Sequence, residues 1–321
     1  MTLEGRLRQL QRDGKIDLPF PGKGETAARH RRLFDIGRED LSLARLAEAH
    51  VDALAILAEA GRRPNPNALY GVWAAETSDR PLRLSRTLAG LELNGSKVFC
   101  TGAGLLDRAL ITVSAPDQRI VDVNLRVSRG ALGIDCSGWH AGAFSETRTA
   151  EVAFDRVAVA EEDVIQDSDW YLDRPGFWHG ACGPAACWAG GAVGLVDYAC
   201  SQSRSDPHTL AHLGALHADA WTLRACLDSA GREIDEDPVD RANARIRALT
   251  LRHVVEQACT DVLRRIARAY GPRPLAFDCH ISRRYQELDL YVRQSHAERD
   301  LERLGRDVLQ MSIGRKTTAA C

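Results

Sequence analysis

The chain has 321 residues, with 42 Lys and Arg against 44 Asp and Glu and a formal charge of −2. That length allows one large core or two or three smaller ones. The balanced charge, with no basic run longer than "ARHRR" (28–32), speaks against a nucleic-acid partner.

The N-terminal stretch "MTLEGRLRQLQRDG" is amphipathic and charged, unlike a secretion signal. Residues 1–69 read as a short helical segment. "REDLSLARLAEAHVDALAILAEAG" places Leu41, Leu43, Leu46, Val51, Leu54 and Leu57 at near-helical spacing, with Gly61 as a C-cap. The connector "RRPNPNA" (62–68) ends it, because two prolines forbid helix continuation.

Residues 70–165 have a different texture. "YGVWAAE", "LAGLELNG", "SKVFCTG", "RALITVS", "RIVDVNLRV", "GIDCSGW" and "RTAEVAFDRVAV" are short runs rich in β-branched residues and separated by turns. That pattern predicts an antiparallel β-barrel or sandwich. In "ELNGSKVFCTGAG", Asn94-Gly95 predicts a two-residue hairpin, since a type I′ turn needs φ > 0 at both central residues. The same stretch ends in a hydroxyl, Thr101, and three small residues, Gly102, Ala103 and Gly104.

Residues 166–321 return to helices, roughly over 176–203, 207–234, 238–269 and 279–310, separated by "SRSDP", "DEDP" and "GPRP". Four long segments with short links predict a four-helix bundle. The most apolar segment, Gly180 to Ala199, is rich in Gly and Ala rather than Leu, which suits a tightly packed helix better than a membrane span. The fold class is therefore α+β and multidomain, in the order helix, sheet, helix. The 9 cysteines are an odd number with no CxxC pair, and Cys182, Cys187, Cys226 and Cys259 lie on helix faces. Buried thiols in a reducing, cytoplasmic compartment fit this better than disulfides or a metal site. P-loop, GxGxxG, HExxH and GxSxG motifs are absent.

This layout, with several local motifs in order, resembles the acyl-CoA dehydrogenase family. "YGVWAAE" (70–76) is similar to the family's aromatic-x-Val-Thr/Ala-Glu strand, and "LNGSKVFCTGAG" to its "hNGxKxWITNG" strand. "FSETRTAEVAFDRVAVAEEDVI" (144–165) resembles its "G-x-R-x-S-x-T-x-x-V-x-F-x-x-V-x-V-P" run, and "AGGAVGLVDYA" (189–199) its Gly/Ala-rich first bundle helix. The resemblance covers about 70–310. It implies a flavoprotein that binds FAD and oxidises an acyl thioester by α,β-dehydrogenation. It also implies a homo-oligomer, dimer or tetramer, with the cofactor site completed by a neighbouring subunit.

The resemblance assigns cofactor contacts residue by residue. Phe99 takes the aromatic position against the isoalloxazine ring, and Thr101 hydrogen-bonds near flavin N5 and O4; the plain alternative is a core Phe and a strand-capping Thr. Gly102 to Gly104 then let backbone approach the cofactor. Trp73, Ala74 and Ala75 follow the flavin edge. The family's Gly-rich "P-G-A-G-S-D" loop is replaced by "TSDRPLRL", leaving Ser78 as a phosphate or flavin contact or an ordinary turn residue. Arg204, in "SRSDPH", matches an Arg that reaches the pyrophosphate, or is a surface Arg. Tyr270 and Gly271, in "ARAYGPRPLA", match a turn near the dinucleotide, or form a helix C-cap. Trp139 lies where a family loop approaches substrate, or is core.

The family's catalytic carboxylate, which needs a raised pKa, is not at its usual place. One site falls near Pro184; the other falls at His296-Ala297, in "YQELDLYVRQSHAERD", with Glu298 next to it. Three readings stand. Glu298 is the base; or His296 is the acid or base, as in flavin monooxygenases of the same fold; or "RQSHAERD" is a solvated helix face and the chemistry is lost or changed. The corresponding functions are dehydrogenase, monooxygenase-like enzyme, and a degenerate homologue serving as a structural or assembly partner.

Overall fold

The structure, a computed structural model, describes residues 1–76, 79–114, 119–166 and 169–318. Its elements in chain order are α1 (Leu3–Arg12), α2 (Thr26–Glu39), α3 (Leu41–Glu59), β1 (Tyr70–Trp73), β2 (Arg83–Thr87), β3 (Gly90–Cys100), β4 (Arg108–Val113) and β5 (Arg119–Asn124). Then follow β6 (Leu132–Asp135), β7 (Ala150–Val159), β8 (Val164–Ile165), α4 (Trp170–Asp173), α5 (Pro175–Gly180), α6 (Cys182–Ser201) and α7 (Pro207–Glu236). The chain closes with α8 (Arg241–Tyr270), α9 (Pro272–Phe277), α10 (Cys279–Tyr291) and α11 (Glu298–Thr318). Mixed helix and sheet with a helical C-terminal part is the expected class. Two compact units result: Met1–Leu18 with Arg45–Phe177, and Pro19–Ala44 with Trp178–Cys321.

The first unit holds two four-stranded sheets, β1-β4-β5-β8 and β2-β3-β7-β6, rather than a closed barrel. One pairing departs from the antiparallel expectation: β1 runs parallel to β4, from Tyr70 opposite Arg108 to Trp73 opposite Ile111. A parallel neighbour requires a long crossover, and the β2–β3 hairpin lies in that crossover. Every residue of β4 is buried, as a central strand covered on both faces should be. Ala53, Ile56 and Leu57 of α3 pack with Tyr70, Leu110, Ile120, Ile165 and Tyr171 into this sheet's core. Each large side chain buried there contributes roughly 1.5–3 kcal/mol.

The Asn94-Gly95 hairpin expectation is corrected. β3 runs straight through both residues, and the turn falls at Leu88-Ala89, where Thr87 pairs with Gly90. Gly95 has φ +129°, and a Cβ there would lie 2.5 Å from Pro81 O. The glycine is needed for close approach of a neighbouring segment, and the dipeptide marks a bulge rather than a reversal.

The second unit is helical. Asp206, Asp240 and Asp278 accept hydrogen bonds from the first backbone N–H groups of α7, α8 and α10 and are their N-caps, the first of them within the "SRSDP" link. The Gly/Ala-rich α6 lets α2 approach to backbone contact: a Cβ on Gly190 would lie 2.0 Å from Phe34 O. The last expected helix, 279–310, is broken. α10 ends at Tyr291, and Ala297, at φ +47°, redirects the chain into α11. Arg252 holds the break, donating to Gln294 O at 2.8 Å and to Ala181 O at 3.0 Å. Among the described residues, no helix is long and apolar enough to cross a membrane, and no cysteine is paired in a disulfide.

Candidate functional site

In the first unit, the strand end at Phe99 to Gly104 is built by a bulge. Lys97 pairs with Val152 and Cys100 with Ala150, so Val98 and Phe99 together oppose Glu151. An extra residue re-aims its side chain: Phe99 adopts φ +54° and is 64% exposed. A left-handed backbone at an aromatic residue is strained by about 1–2 kcal/mol. Cys100, the next residue, is buried, and burial pushes its thiol up to about 12.

Thr101 follows, half-buried, with its backbone tied at both ends. Its N–H donates to Phe99 O at 2.8 Å, and its carbonyl accepts from Trp73 Nε1 at 3.0 Å. Gly102 has φ +83°, and a Cβ there would strike Leu106 at 2.6 Å. Gly104, at φ +80°, lies under the Arg148 guanidinium, whose Nε donates to Ala103 O at 3.3 Å. The result is an exposed aromatic face, a hydroxyl and a side-chain-poor turn in sequence.

Beneath this surface lies a polar network not foreseen in the sequence. The Lys97 side chain is 0% exposed, and its Nζ donates to Glu76 Oε1 at 2.6 Å and to Thr112 Oγ1 at 2.9 Å. Desolvation lowers the Lys97 pKa, against the raising effect of Glu76. Glu76 also accepts from Ser114 Oγ at 3.2 Å, so the segment after β1 is fixed at its end. Buried Thr147 and Thr149 connect to Thr101 through their hydroxyls, at 3.1 Å and 3.2 Å. Thr147 ends a short 3-10 turn and Arg148 turns the chain at φ +47°, so the Thr-x-Thr spacing alone gave no sign that the two hydroxyls meet.

Of the expected contacts here, Phe99, Thr101 and Trp73 come together. Trp73 is buried, so its indole ties β1 to Thr101 rather than presenting a surface, while Ala74 is exposed and Ala75 half-buried. Ser78 lies outside the described residues. Trp139 is half-buried, its Nε1 donating to Ala143 O at 2.9 Å. It shares the Arg45 guanidinium with Phe144, at 5.6 Å and 4.7 Å from the ring centroids.

In the second unit, Arg204, Tyr270 and Gly271 gather at one end of the bundle. Arg204 donates to Asp206 Oδ2 at 2.7 Å and to Ala269 O at 3.1 Å, a cation at the C-terminus of α8. Tyr270 donates to Ala199 O at 3.1 Å and stacks edge-on with Tyr198, while Gly271, at φ +68°, caps α8. At the helix break, His296 is 60% exposed, with Nδ1 at 3.3 Å from Asp300 Oδ1. Its backbone N–H donates to Asp300 Oδ2 at 3.1 Å. Glu298 is exposed in the first turn of α11. "RQSHAERD" is thus a solvent-exposed bend rather than a continuous helix face, with His296 paired to Asp300 across it.

No family model matches the chain, and no curated protein matches it at a significant level. Solved structures do. The dibenzothiophene monooxygenase TdsC from Paenibacillus sp. A11-2, with FMN and indole, matches at TM-score 0.73 and 17% identity, over 96% of this chain and 95% of that one. KijD3, in complex with FMN and dTDP-3-amino-2,3,6-trideoxy-4-keto-3-methyl-D-glucose, matches at TM-score 0.76 and 13% identity, over 97% and 91%. Butyryl-CoA dehydrogenase from Megasphaera elsdenii matches at TM-score 0.75 and 14% identity, over 87% and 80%.

Proposed function

The chain has the acyl-CoA dehydrogenase fold, and from that premise we propose that it is a flavin-dependent oxidoreductase acting as a monooxygenase on a small molecule. The observation that carries the flavin reading is exposed Phe99, held at φ +54° beside half-buried Thr101. An aromatic face, a hydroxyl and small residues fit a flat heteroaromatic ring. Phe99 packs on the isoalloxazine, Thr101 bonds its polar edge, and Ala74 and Ala75 line it. Arg204, with Tyr270 and Gly271, is the proposed contact that a neighbouring subunit lends to the phosphate-bearing arm. The ring supplies two-electron chemistry and, when reduced, reactivity toward oxygen. FAD is what the family resemblance implies, whereas TdsC and KijD3 were solved with FMN.

The monooxygenase reading rests on His296. A carboxylate only accepts hydrogen bonds, so Nδ1 carries the proton that faces Asp300. Nε2 is then the nitrogen that takes or gives a proton, with Asp300 fixing the tautomer. The second reading, dehydrogenation of an acyl thioester with Glu298 as base, is favoured by the match to butyryl-CoA dehydrogenase. A homo-oligomer is part of both readings, measured as the mass of the purified protein in solution.

Titration with FMN and FAD separately tests the core of the proposal: an altered visible spectrum with saturable binding supports it, and no binding of either overturns it. His296→Gln lowers oxygen-dependent turnover about 100-fold while leaving flavin affinity unchanged. Anaerobic bleaching by acyl-CoA thioesters selects the second reading instead.

A further inference from the structure

Three threonine hydroxyls form a chain from the interior to the proposed flavin surface. Thr147 Oγ1 donates to Phe144 O at 2.8 Å, Thr147 and Thr149 oxygens are 3.1 Å apart, and Thr149 and Thr101 oxygens are 3.2 Å apart. Thr147 and Thr149 are buried, and Thr101 alone reaches the surface. A hydroxyl has one proton to give and two lone pairs to receive.

The direction of every bond follows from the carbonyl at the inner end. Phe144 O cannot donate, so the single proton of Thr147 is committed to it. Thr147 must then accept from Thr149, which commits the proton of Thr149. Thr149 must in turn accept from Thr101, which commits the proton of Thr101. Thr101 is left with lone pairs only toward the surface. Among the described residues, nothing else bonds its hydroxyl.

We infer that Thr147 and Thr149 are positioning residues that polarise Thr101 into an obligate acceptor, so that this surface selects a ring N–H over a ring N and hence reduced over oxidised flavin. Oxidised isoalloxazine presents N5 as an acceptor, and two-electron reduction turns N5 into an N–H donor. An acceptor facing an acceptor leaves both unsatisfied, and a partly desolvated mismatch of that kind is costly. The inference rests on the flavin reading above and deepens it. It concerns relative affinity and requires no turnover.

The test is an anaerobic titration of the full chain with oxidised FMN and with dithionite-reduced FMN. The expected result is a Kd at least tenfold lower for the reduced form. For a two-electron couple, tenfold raises the bound midpoint potential by about 30 mV over free FMN. Thr149→Val removes the acceptor for the Thr101 proton, freeing that proton to face the ligand, so the tenfold preference collapses toward unity through tighter binding of oxidised FMN. Thr149→Ser keeps the chain of bonds and the preference. Thr147→Val frees the Thr149 proton to turn toward Thr101, so it also erodes the preference and serves if Thr149→Val fails to fold. Equal affinities in the unsubstituted protein, or a preference unchanged in both valine variants, overturn the inference alone. Failure of both forms to bind overturns the flavin reading and the inference with it.

Discussion

Strand β3 carries two irregularities against β7, and they differ in what the side chains do. At the first, between Leu93 and Gly95, the extra residue is on β7, where Asp155 and Arg156 oppose Asn94. Asn94 Oδ1 accepts the Arg156 N–H at 2.9 Å, and Gly95 lies against Pro81 and Leu82. At the second, between Lys97 and Cys100, the extra residue is on β3 and restores the register. The first places glycine where a side chain cannot fit. The second places an exposed phenylalanine where glycine would be easier. Arg156, exposed at φ +51° on β7, carries the same backbone strain at the first bulge, so what separates the two is that the second turns an exposed aromatic face, Phe99, out of the sheet.

The largest expected effect is at the first bulge. Gly95→Ala must tolerate φ +129° and a Cβ 2.5 Å from a carbonyl oxygen. It should cost about 3 kcal/mol, read as a lower midpoint in urea. Between the two bulges, Glu76→Gln leaves the fully buried Lys97 ammonium without a counter-charge. A loss of about 2 kcal/mol is expected, below that of a fully buried pair because Glu76 is 38% exposed. At the second bulge the sign reverses. Phe99→Gly relaxes a left-handed backbone and should stabilise the protein by about 1 kcal/mol, while weakening flavin binding about tenfold by loss of ring stacking. Destabilisation by Phe99→Gly, with flavin affinity intact, would make both bulges structural and break the comparison.

Legibility in the sequence follows the range of the interaction that decides each feature. The strands and the Gly/Ala-rich α6 were legible because neighbouring residues set them. Asn94-Gly95 misled because its glycine answers to Pro81 O, a contact from another segment. The actual turn, Leu88-Ala89, carries no turn residue and is closed by Thr87, whose Oγ1 donates to Gly90 O at 3.2 Å. The break before α11 has no Gly or Pro in "RQSHAERD"; Arg252 imposes it from another helix. At the site, Phe99 and Thr101 were visible on one strand. Thr149, the partner of Thr101, and Glu76, the partner of Lys97, were not, because the first pairing spans 48 residues and the second 21.

The smallest effect bears on the residue between the bulges. Burial lowers the folded pKa of Lys97 below its ordinary 10.5, so the unfolded chain holds this proton more tightly than the folded one. Stability from this group therefore rises with pH through a window beginning at the folded pKa and ending near 10.5, and it is lost as pH falls back through that window. Lys97→Met removes the group and should flatten that part of the stability profile. It leaves Glu76 bonded to Thr112 and Ser114 and half in solvent. Melting temperatures of both proteins across alkaline pH measure the difference. A steeper rise in the unsubstituted protein shows that burial disfavours the Lys97 ammonium in the folded state, even with Glu76 bonded to it. Identical slopes would mean that burial does not disfavour this ammonium, and the network would then be a neutral strut shared equally by both bulges.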